Sequence, residues 1–359
     1  MYLHLVSSSP TRLLIAASGT GGHLFPALAL AQQLPDYEIE WLGVPNRLET
    51  TLVPESYPLN TISVEGFQQR LGFKSFKIIS RFLFSILQVQ KLIKAKQIDA
   101  VVTTGGYIAA PAILAARLQQ KPTILHEANF IPGKVTRFLS RWCDAIALGF
   151  EGTARYLPKV PTTYVGTPVR LQFRQPQTLD LPIPDEATLI VVAGGSQGAV
   201  AVNKLVRAAA PQWLSRGAYI VHLTGNNDPD VETLQHPQYI SLPFYENMAG
   251  LLQRANLAIS RAGAGTLTEL AVTGTPAILI PYPYAAEDHQ AYNAREFARA
   301  GAAVVYQQSK LTAEILDRQV IELLDSPSRL QNMTDKAVSL AVSDSAERLA
   351  NLVRTAINK

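Results

Sequence analysis

The chain has 359 residues, of which 47% are hydrophobic and 17% are charged, so it is long enough for two domains with separate cores. Its single cysteine, Cys143, excludes an internal disulfide framework and a cysteine-based metal site, and this fits a reducing compartment such as the cytoplasm. The net charge is +4, and the basic surplus lies in residues 1–165, with 16 Lys and Arg against 10 Asp and Glu. Such a bias suits nucleic acid, anionic lipid or a phosphorylated substrate, and composition does not choose among them.

Short apolar runs alternate with helical patterns along the whole chain. The first run, residues 13–17, is too short for a signal peptide or a membrane span and leads directly into a glycine loop. Apolar runs that end in Gly-rich or polar turns and are followed by helices are typical of parallel strands in βαβ units. The predicted fold class is α/β, with strands at residues 12–18, 39–44, 100–105, 122–127, 145–150, 188–195, 218–225, 257–263 and 276–283.

This pattern starts twice, at RLLIAASGTGGH and again at TLIVVAGGSQGA. Each is a strand that ends in a glycine turn and opens a helix, so we predict two Rossmann-like, doubly wound domains, 1–165 and 166–343. The proline-rich stretch 162–187 is the predicted linker. The last segment, 344–357, is an amphipathic helix whose packing partner is not evident from its periodicity.

Three glycine clusters follow predicted strands: Gly19, Gly21 and Gly22, then Gly194, Gly195 and Gly198, and finally Gly263 and Gly265. Glycine allows positive φ and close approach, and the unpaired N–H groups of the following helix favour an anion. Each cluster is a possible phosphate site or only a tight turn. The first does not match GxGxxG, and GxxxxGK[ST] is absent, so a nicotinamide oxidoreductase and a P-loop kinase are disfavoured.

A histidine, His23, directly follows the first glycine cluster. It either caps its turn and packs on the sheet, or it takes part in chemistry. The carboxyl edge of a parallel sheet is where ligands bind, and the titration range of histidine suits proton transfer near neutrality. Position alone leaves both interpretations open.

Residues 67–96 contain seven Lys or Arg and no Asp or Glu. Phe76, Ile79, Leu83 and Ile86 fall on one helical stripe, and Phe82 and Phe84 widen the apolar area. A basic amphipathic helix with surplus aromatic residues can lie in an anionic membrane interface. The alternative is a core helix with a solvated basic face.

Seven blocks together carry a family resemblance: SGTGGHLFPALALA (18–31), TTGGYIAAPAILAA (103–116), LHEANFIPG (125–133), VGTPVR (165–170), GGSQGA (194–199), SRAGAGTLTEL (260–270) and EDHQAYNA (287–294). In this order, over nearly the whole chain, they resemble the MurG family of glycosyltransferase family 28. The resemblance implies a GT-B fold, in which two Rossmann-like domains face each other across a cleft and the last helix, about 344–359, packs on the first domain. It assigns the lipid acceptor and the membrane to the first domain and UDP-GlcNAc to the second.

The resemblance implies inverting transfer of GlcNAc from UDP-GlcNAc to the C4 hydroxyl of MurNAc in undecaprenyl-pyrophosphoryl-MurNAc-pentapeptide (lipid I). The product, lipid II, serves peptidoglycan synthesis. The partners implied are UDP-GlcNAc, lipid I, an anionic membrane surface and other cell-wall enzymes, with no nucleic acid. The implied location is peripheral, on the cytoplasmic face of the cytoplasmic membrane. No metal or other cofactor is expected, because backbone N–H groups and a helix N-terminus can stabilise the leaving diphosphate.

Donor-binding residues carried over from the family are Thr20, Gly21, Gly22, Asn129, Arg170, Ser196, Gln197, Tyr245, Ala264, Gly265, Thr266, Leu267, Thr268, Glu269 and Gln290. The resemblance gives the diphosphate and uridine to residues 264–268, the ribose to Glu269, a phosphate to Ser196 and the GlcNAc hydroxyls to Asn129 and Gln290. Two positions depart from the usual family pattern. Tyr245 stands where an aliphatic residue is common, and Ala128 replaces Gln in the HEQN form.

For catalysis the resemblance makes His23 the first candidate base, with Glu127 and His126 as second candidates. The expected acceptor-binding residues are Gly105, Gly106, Tyr107 and His126, and the expected membrane contacts are Lys74, Lys77, Arg81 and Phe82. Three alternatives stay open: another lipid-directed GT-B enzyme such as a diacylglycerol glucosyltransferase, a sugar-nucleotide-binding scaffold without catalysis, and a nucleic-acid-binding protein.

Overall fold

The structure is a computed structural model that describes residues 10–64, 73–195 and 198–358, and the side chains of residues 73–78 lie outside the description. The chain divides into two compact units. The first comprises Met1–Ala128, Pro132–Pro168 and Asp344–Lys359, and the second comprises Asn129–Ile131 and Val169–Ser343. The main change of unit therefore falls at residues 168/169, and the short segment Asn129–Ile131 belongs with the second unit although it is surrounded in sequence by the first.

The first unit contains a seven-stranded parallel sheet in the order β3-β2-β1-β4-β5-β6-β7. Its strands are β1 (Arg12–Ala16), β2 (Glu38–Gly43), β3 (Leu59–Thr61), β4 (Ala100–Thr103), β5 (Thr123–Glu127), β6 (Ala145–Leu148) and β7 (Thr162–Tyr164). Its helices up to this point of the chain are α1 (Gly21–Gln32), α2 (Glu49–Leu52), α3 (Phe73–Ala95), α4 (Ala109–Leu118) and α5 (Lys134–Leu139).

Strand β1 is buried on both faces because helices cover the sheet on each side. Leu13 and Ile15 point into a core shared with α1, whereas Leu14 and Ala16 point into a core shared with α3 and α4. Successive strand residues point to opposite faces, so a strand covered on both sides is apolar throughout. This explains why β1 is a continuous apolar run, and the sheet order places the end of β1 between the ends of β2 and β4.

The second unit contains a six-stranded parallel sheet in the order β10-β9-β8-β11-β12-β13. Its strands are β8 (Leu189–Ala193), β9 (Tyr219–Leu223), β10 (Tyr239–Leu242), β11 (Leu257–Ser260), β12 (Ala277–Leu279) and β13 (Ala303–Val305). Its helices are α6 (Val200–Ser215), α7 (Met248–Arg254), α8 (Ala264–Thr273), α9 (His289–Ala300), α10 (Ala313–Leu324) and α11 (Pro327–Ser339). One face of this sheet packs against α6 and α10 around the fully buried Trp213.

The chain ends in α12 (Ser345–Ile357), which packs on the first unit. Leu349 and Val353 are fully buried in the same core as α1. The Ser345 hydroxyl donates to the Thr167 carbonyl oxygen at 3.1 Å, and Arg354 donates to the Gln33 carbonyl oxygen at 3.0 Å. The C-terminal residues therefore complete a core that begins with residue 13.

The predicted α/β class is confirmed, and each of the nine predicted strands corresponds to an observed one. Four described strands were not predicted: β3, β7, β10 and β13. Each has three or four residues and lies at an edge of its sheet. Among the described residues, no helix is both long enough and apolar enough to cross a bilayer.

Candidate active site

His23 is the third residue of α1 and is bound by the turn after the neighbouring strand β4. Its Nδ1 lies 2.7 Å from the carbonyl oxygen of Thr104, and the Thr104 hydroxyl donates to the His23 carbonyl oxygen at 2.9 Å. A carbonyl oxygen only accepts, so this contact assigns the proton to Nδ1 and leaves Nε2 as the nitrogen that can accept a proton. The ring is thus held in the tautomer that a general base requires.

Gly105 and Gly106 form the surface on which the imidazole lies. A Cβ at Gly105 would stand 3.4 Å from His23 Cε1, and one at Gly106 would stand 3.7 Å from Nε2. Both glycines have positive φ, +96° and +76°, which favours glycine at these positions. Tyr107 follows them and is half exposed. The structure therefore brings the predicted base together with two of the four predicted acceptor-binding residues, Gly105 and Gly106.

The turn between β1 and α1 presents unpaired backbone donors. Thr20 is the N-cap residue without a side-chain capping bond, and its carbonyl oxygen accepts from the amides of His23 and Leu24. The amides of Gly21 and Gly22 have no partner among the described residues. Amides at the start of a twelve-residue helix form an anion-binding site. This supports phosphate binding at this turn, where Thr20, Gly21 and Gly22 are predicted to bind the donor. The turn lies in the unit to which the resemblance assigns the lipid-linked acceptor, whereas the other predicted donor residues that the structure describes lie in the second unit.

His126 and Glu127, the other two predicted residues of the first unit that carry a titratable side chain at the end of β5, have structural roles. His126 has no exposed surface, its Nε2 lies 2.9 Å from the Gly166 carbonyl oxygen, and burial lowers its pKa. A side chain without exposed surface cannot contact the acceptor, so the prediction for His126 is wrong. Glu127 Oε2 accepts from the Gly133 amide at 3.0 Å and from the Thr136 hydroxyl at 2.6 Å. It orders the start of α5, and these contacts do not support its prediction as a base.

In the second unit, α8 begins directly after the turn that follows β11. Gly263 is its N-cap without a side-chain capping bond, so the amides of Ala264, Gly265 and Thr266 face outward at the helix N-terminus. Leu267 is fully buried, and the Thr268 hydroxyl donates to the Ala264 carbonyl oxygen. These residues can therefore bind a diphosphate through their amides, whereas the Leu267 side chain serves the core.

Glu269 lies one turn into α8, and its Oε1 is 3.6 Å from Nη2 of Arg170. Burial raises the pKa of Glu269 to about 7, and the nearby Arg170 opposes this shift. The protonated form of this carboxyl group therefore persists to a higher pH than in an ordinary glutamate. A carboxylate at this place can accept two hydrogen bonds from a diol, as the ribose role requires.

Gln290 is oriented by two backbone amides. Its Oε1 accepts from the Ala262 amide at 3.2 Å and from the Tyr282 amide at 2.9 Å. Because the oxygen is used in this way, the NH₂ group is directed away from the backbone, and it has no partner among the described residues. Gln290 therefore presents two oriented N–H donors beside the turn that starts α8.

Asn293 was not singled out from the sequence, yet it joins the predicted donor residues to each other. It is fully buried on α9, and its Oδ1 accepts from the Phe130 amide at 2.9 Å. Its Nδ2 donates to Asn129 Oδ1 at 3.1 Å and to the Ala262 carbonyl oxygen at 3.2 Å. Asn293 holds the segment Asn129–Ile131 in the second unit, and Asn129 is thereby brought to the same turn as Gln290.

Arg261 is a second residue that sequence reasoning missed. It is buried directly after β11, where its guanidinium donates to the carbonyl oxygens of Ile280 and Pro281 and to Gln308 Oε1. Among the described residues no carboxylate pairs with it, and burial lowers its pKa. A charged residue directly after a buried strand was the only signal in the sequence. Its positive charge favours an anion at the adjacent N-terminus of α8.

The remaining donor predictions have separate outcomes. Ser196 and Gln197 lie outside the described residues. The Tyr245 hydroxyl donates to Asp180, and burial together with that carboxylate raises the pKa of Tyr245 to about 12.

The sequence also contains one Asp-x-Asp pair, Asp228 and Asp230, which the expectation of a metal-free site overlooked. Asp228 is buried and accepts from Arg207 and Asn203, so its oxygens already serve a structural network.

Helix α3 presents apolar side chains to the solvent. Its buried stripe consists of Ile86, Val89 and Ile93, whereas its largest exposed apolar residues are Ile79, Leu83, Phe84 and Leu87. Arg81 is exposed, and the side chains of Lys74 and Lys77 lie outside the description. Phe82 is partly buried against the core, so the structure supports its predicted membrane contact less than a contact through the exposed apolar residues.

These features define a class. Two Rossmann-like sheets, each with an unpaired helix N-terminus at its carboxyl edge, are typical of α/β proteins that bind phosphorylated ligands. In the second unit, a carboxylate suited to a diol and oriented amide donors add the groups that recognise a nucleotide sugar. The fold and the site therefore define a nucleotide-sugar-binding protein.

Comparison with known proteins identifies the family. The model of the glycosyltransferase family 28 N-terminal domain matches residues 13–148, and that of its C-terminal domain matches residues 189–349. The chain belongs to glycosyltransferase family 28, as the sequence predicts.

Two relatives are named UDP-N-acetylglucosamine–N-acetylmuramyl-(pentapeptide) pyrophosphoryl-undecaprenol N-acetylglucosamine transferase. The protein from Gloeothece citriformis is 67% identical, with 97% of each chain covered, and that from Synechocystis sp. is 65% identical, with 98% of this chain and 99% of the relative covered. The crystal structure of Acinetobacter baumannii MurG has a TM-score of 0.77 at 32% identity and covers 96% of this chain and 100% of that one. The calicheamicin glycosyltransferase CalG4, at 16% identity and a TM-score of 0.69, shares the fold.

Proposed function

We propose that this protein transfers GlcNAc from UDP-GlcNAc to the C4 hydroxyl of MurNAc in undecaprenyl-pyrophosphoryl-MurNAc-pentapeptide, forming lipid II for peptidoglycan synthesis. The observation that carries the proposal is 67% identity over 349 residues to a relative that bears the name of this transferase. The residues described above support it, because they supply a base in the first unit and nucleotide-sugar-binding groups in the second.

The second unit would bind the donor. The amides at the N-terminus of α8 would hold the diphosphate, with the charge of Arg261 behind them, and ionised Glu269 would accept hydrogen bonds from the ribose hydroxyls. Gln290 and Asn129 would bind the GlcNAc hydroxyls. UDP gains negative charge as it leaves, so these fixed donors stabilise the transition state more than the ground state.

The first unit would supply the base. His23 Nε2 would take the proton from the C4 hydroxyl while that oxygen attacks C1 of GlcNAc, the bond between C1 and the diphosphate oxygen breaks, and UDP leaves with the electron pair. Attack opposite to the leaving group inverts C1. The bond from Nδ1 to the Thr104 carbonyl oxygen, 2.7 Å long, stabilises the imidazolium that forms.

The membrane is the proposed location of the acceptor, which is itself a polyprenyl diphosphate. Exposed Ile79, Leu83, Phe84 and Leu87 and the basic residues of α3 would bind the surface of anionic lipid on the cytoplasmic face. The enzyme would therefore be peripheral, with its first unit on the membrane.

The test is transfer of labelled GlcNAc from UDP-GlcNAc to lipid I, with UDP-glucose and UDP-galactose as control donors. We expect labelled lipid II with UDP-GlcNAc and little product with either control. Transfer of glucose to diacylglycerol instead would identify a different lipid-directed enzyme. Binding of UDP-GlcNAc in a calorimeter without any turnover would identify a scaffold.

A further inference from the structure

Glu49 is a buried carboxylate in the first unit that the proposed reaction does not use. It is the first residue of α2 and has no exposed surface. Its Oε1 accepts from the Val44 amide at 2.7 Å, and its Oε2 accepts from the Gly19 amide at 3.2 Å. Burial of a carboxylate is costly unless it is hydrogen-bonded, and here each oxygen has a backbone donor.

The two donors belong to different turns. Gly19 lies in the turn after β1 that leads to His23, and Val44 lies in the turn after the adjacent strand β2. Gly19 has a φ of +100°, in the region that favours glycine. A Cβ at Gly43 would stand 2.7 Å from Glu49 Cγ, so a glycine there lets the carboxylate stem approach. Glu49 thus cross-links two neighbouring turns at the carboxyl edge of the sheet.

The His23 turn is consequently held from both sides of β1. On the β4 side, Thr104 binds the imidazole and the backbone of His23, as described above. On the β2 side, Glu49 binds Gly19, four residues before the imidazole. Of these two contacts, only that of Glu49 reaches the glycine turn itself, at the Gly19 amide, two residues before Gly21.

We propose that Glu49 is a positioning residue for the transfer reaction, acting through Gly19 on the turn that carries His23 and the Gly21 and Gly22 amides. This inference rests on the proposed function of that turn. A base displaced by about 1 Å can cost a hundredfold in rate, so a restraint on its turn affects turnover without touching a substrate.

The chemistry of the contact requires a carboxylate. Each of the two backbone amides points at a different oxygen of the Glu49 side chain, so in this geometry both terminal atoms must be acceptors. Glutamine has one acceptor oxygen and would direct its NH₂ group at the other amide. The variant Glu49→Gln is therefore nearly isosteric yet loses one of the two links, and it leaves a buried donor unsatisfied.

We expect Glu49→Gln to lower kcat about 10- to 100-fold while the KM for UDP-GlcNAc changes less than about twofold, because the proposed function binds the donor through Glu269, Gln290 and the α8 amides of the second unit. The matched control is Glu40→Gln. Glu40 lies on β2, is largely buried, and accepts from Asn60 and Lys96 away from the His23 turn. If Glu40→Gln lowers kcat as much as Glu49→Gln does, Glu49 only stabilises the first unit in general, and the proposal is overturned.

Coupling to His23 provides the second measurement. If Glu49 acts through the His23 turn, His23→Ala combined with Glu49→Gln should be about as slow as His23→Ala alone, and fully multiplicative losses would contradict the proposal. Glu49→Asp, which keeps both oxygens on a shorter stem, should retain more turnover than Glu49→Gln and serves if the latter does not fold. Normal turnover of His23→Ala would refute the proposed base. If His23→Ala has lost turnover but Glu49→Gln keeps the wild-type kcat, only the positioning role is refuted.

Discussion

At the scale of single residues, His23 combines a fixed tautomer with a fixed position. The bond from Nδ1 to a carbonyl oxygen leaves Nε2 as the acceptor, and two glycines with positive φ let the ring approach the turn after β4 closely. The sequence could predict a histidine at the carboxyl edge of a sheet. It could not predict its partner, because Thr104 lies 81 residues further along the chain and only the sheet order brings it close.

We predict that His23→Ala lowers kcat about 10²- to 10⁴-fold, the usual contribution of a general base. The Kd of UDP-GlcNAc should stay within about twofold, because the donor-binding groups belong to the second unit. Steady-state kinetics with a soluble lipid I analogue and calorimetry with UDP-GlcNAc measure the two quantities. Equal losses in turnover and donor affinity would argue that His23 binds the donor.

Glu269 predicts how donor affinity depends on pH. Burial raises its pKa to about 7, so the carboxyl is protonated below that pH and ionised above it. The ionised form accepts both ribose hydrogen bonds. The Kd of UDP-GlcNAc should therefore be roughly tenfold higher at pH 6 than at pH 8, because binding weakens as Glu269 is protonated. The diphosphate diester of this ligand does not titrate in that range. Glu269→Gln should weaken binding and remove the pH dependence, and a variant that kept the same dependence would assign it to another group.

At the scale of elements, α3 carries a buried stripe and an exposed apolar stripe side by side. Leu83 and Phe84 are 55% and 60% exposed, whereas Ile86 and Val89 are buried. The sequence could predict surplus apolar residues and basic charge on this helix. It could not predict that Phe82 is partly covered, because the packing of α3 against the sheet and α4, and not its own periodicity, decides which residues are buried.

We predict that Leu83→Ser with Phe84→Ser weakens binding to vesicles of anionic phospholipid about tenfold or more, since each residue loses apolar area from the interface. Turnover with a soluble acceptor analogue should be unchanged. Val338→Ser, at a residue of the second unit that is 54% exposed, is the matched control and should bind vesicles normally. If the double variant binds vesicles as well as Val338→Ser does, the exposed apolar stripe of α3 is not the membrane contact.

Two features at this scale could not be predicted from the sequence: the short edge strands and the hydrogen bonds of the buried Asn293 side chain. The two short edge strands of each sheet carry too few residues for a period of two to be recognised. Asn293 lies in a helix whose pattern gives no sign that its amide reaches Phe130 and Ala262. Such contacts join residues up to 164 positions apart, and they exist only once the sheet is formed.

At the scale of the whole molecule, the repeated strand and glycine-turn pattern predicts two Rossmann-like units because each requires its own first βα turn. Which unit takes the segment Asn129–Ile131 is decided by tertiary hydrogen bonds, and the sequence carries no signal for it. The final helix is a comparable case. Its periodicity predicts a buried face, and only the family resemblance predicts the unit on which that face packs.

The position of α12 predicts where a C-terminal mutation acts. Leu349 is fully buried in the core that also contains Leu13 and Ile15 of β1, so Leu349→Ala should cost about 2–5 kcal/mol of the stability of the first unit. Hydrogen exchange should become faster in β1 and α1 and stay unchanged in β8 and α8, because the second unit has its own core. Calorimetry should still find the wild-type affinity for UDP-GlcNAc. Asn351→Ala, on the exposed face of the same helix, is the control and should change neither exchange pattern. Faster exchange in α8 with weaker donor binding would mean that the last helix supports the second unit as well.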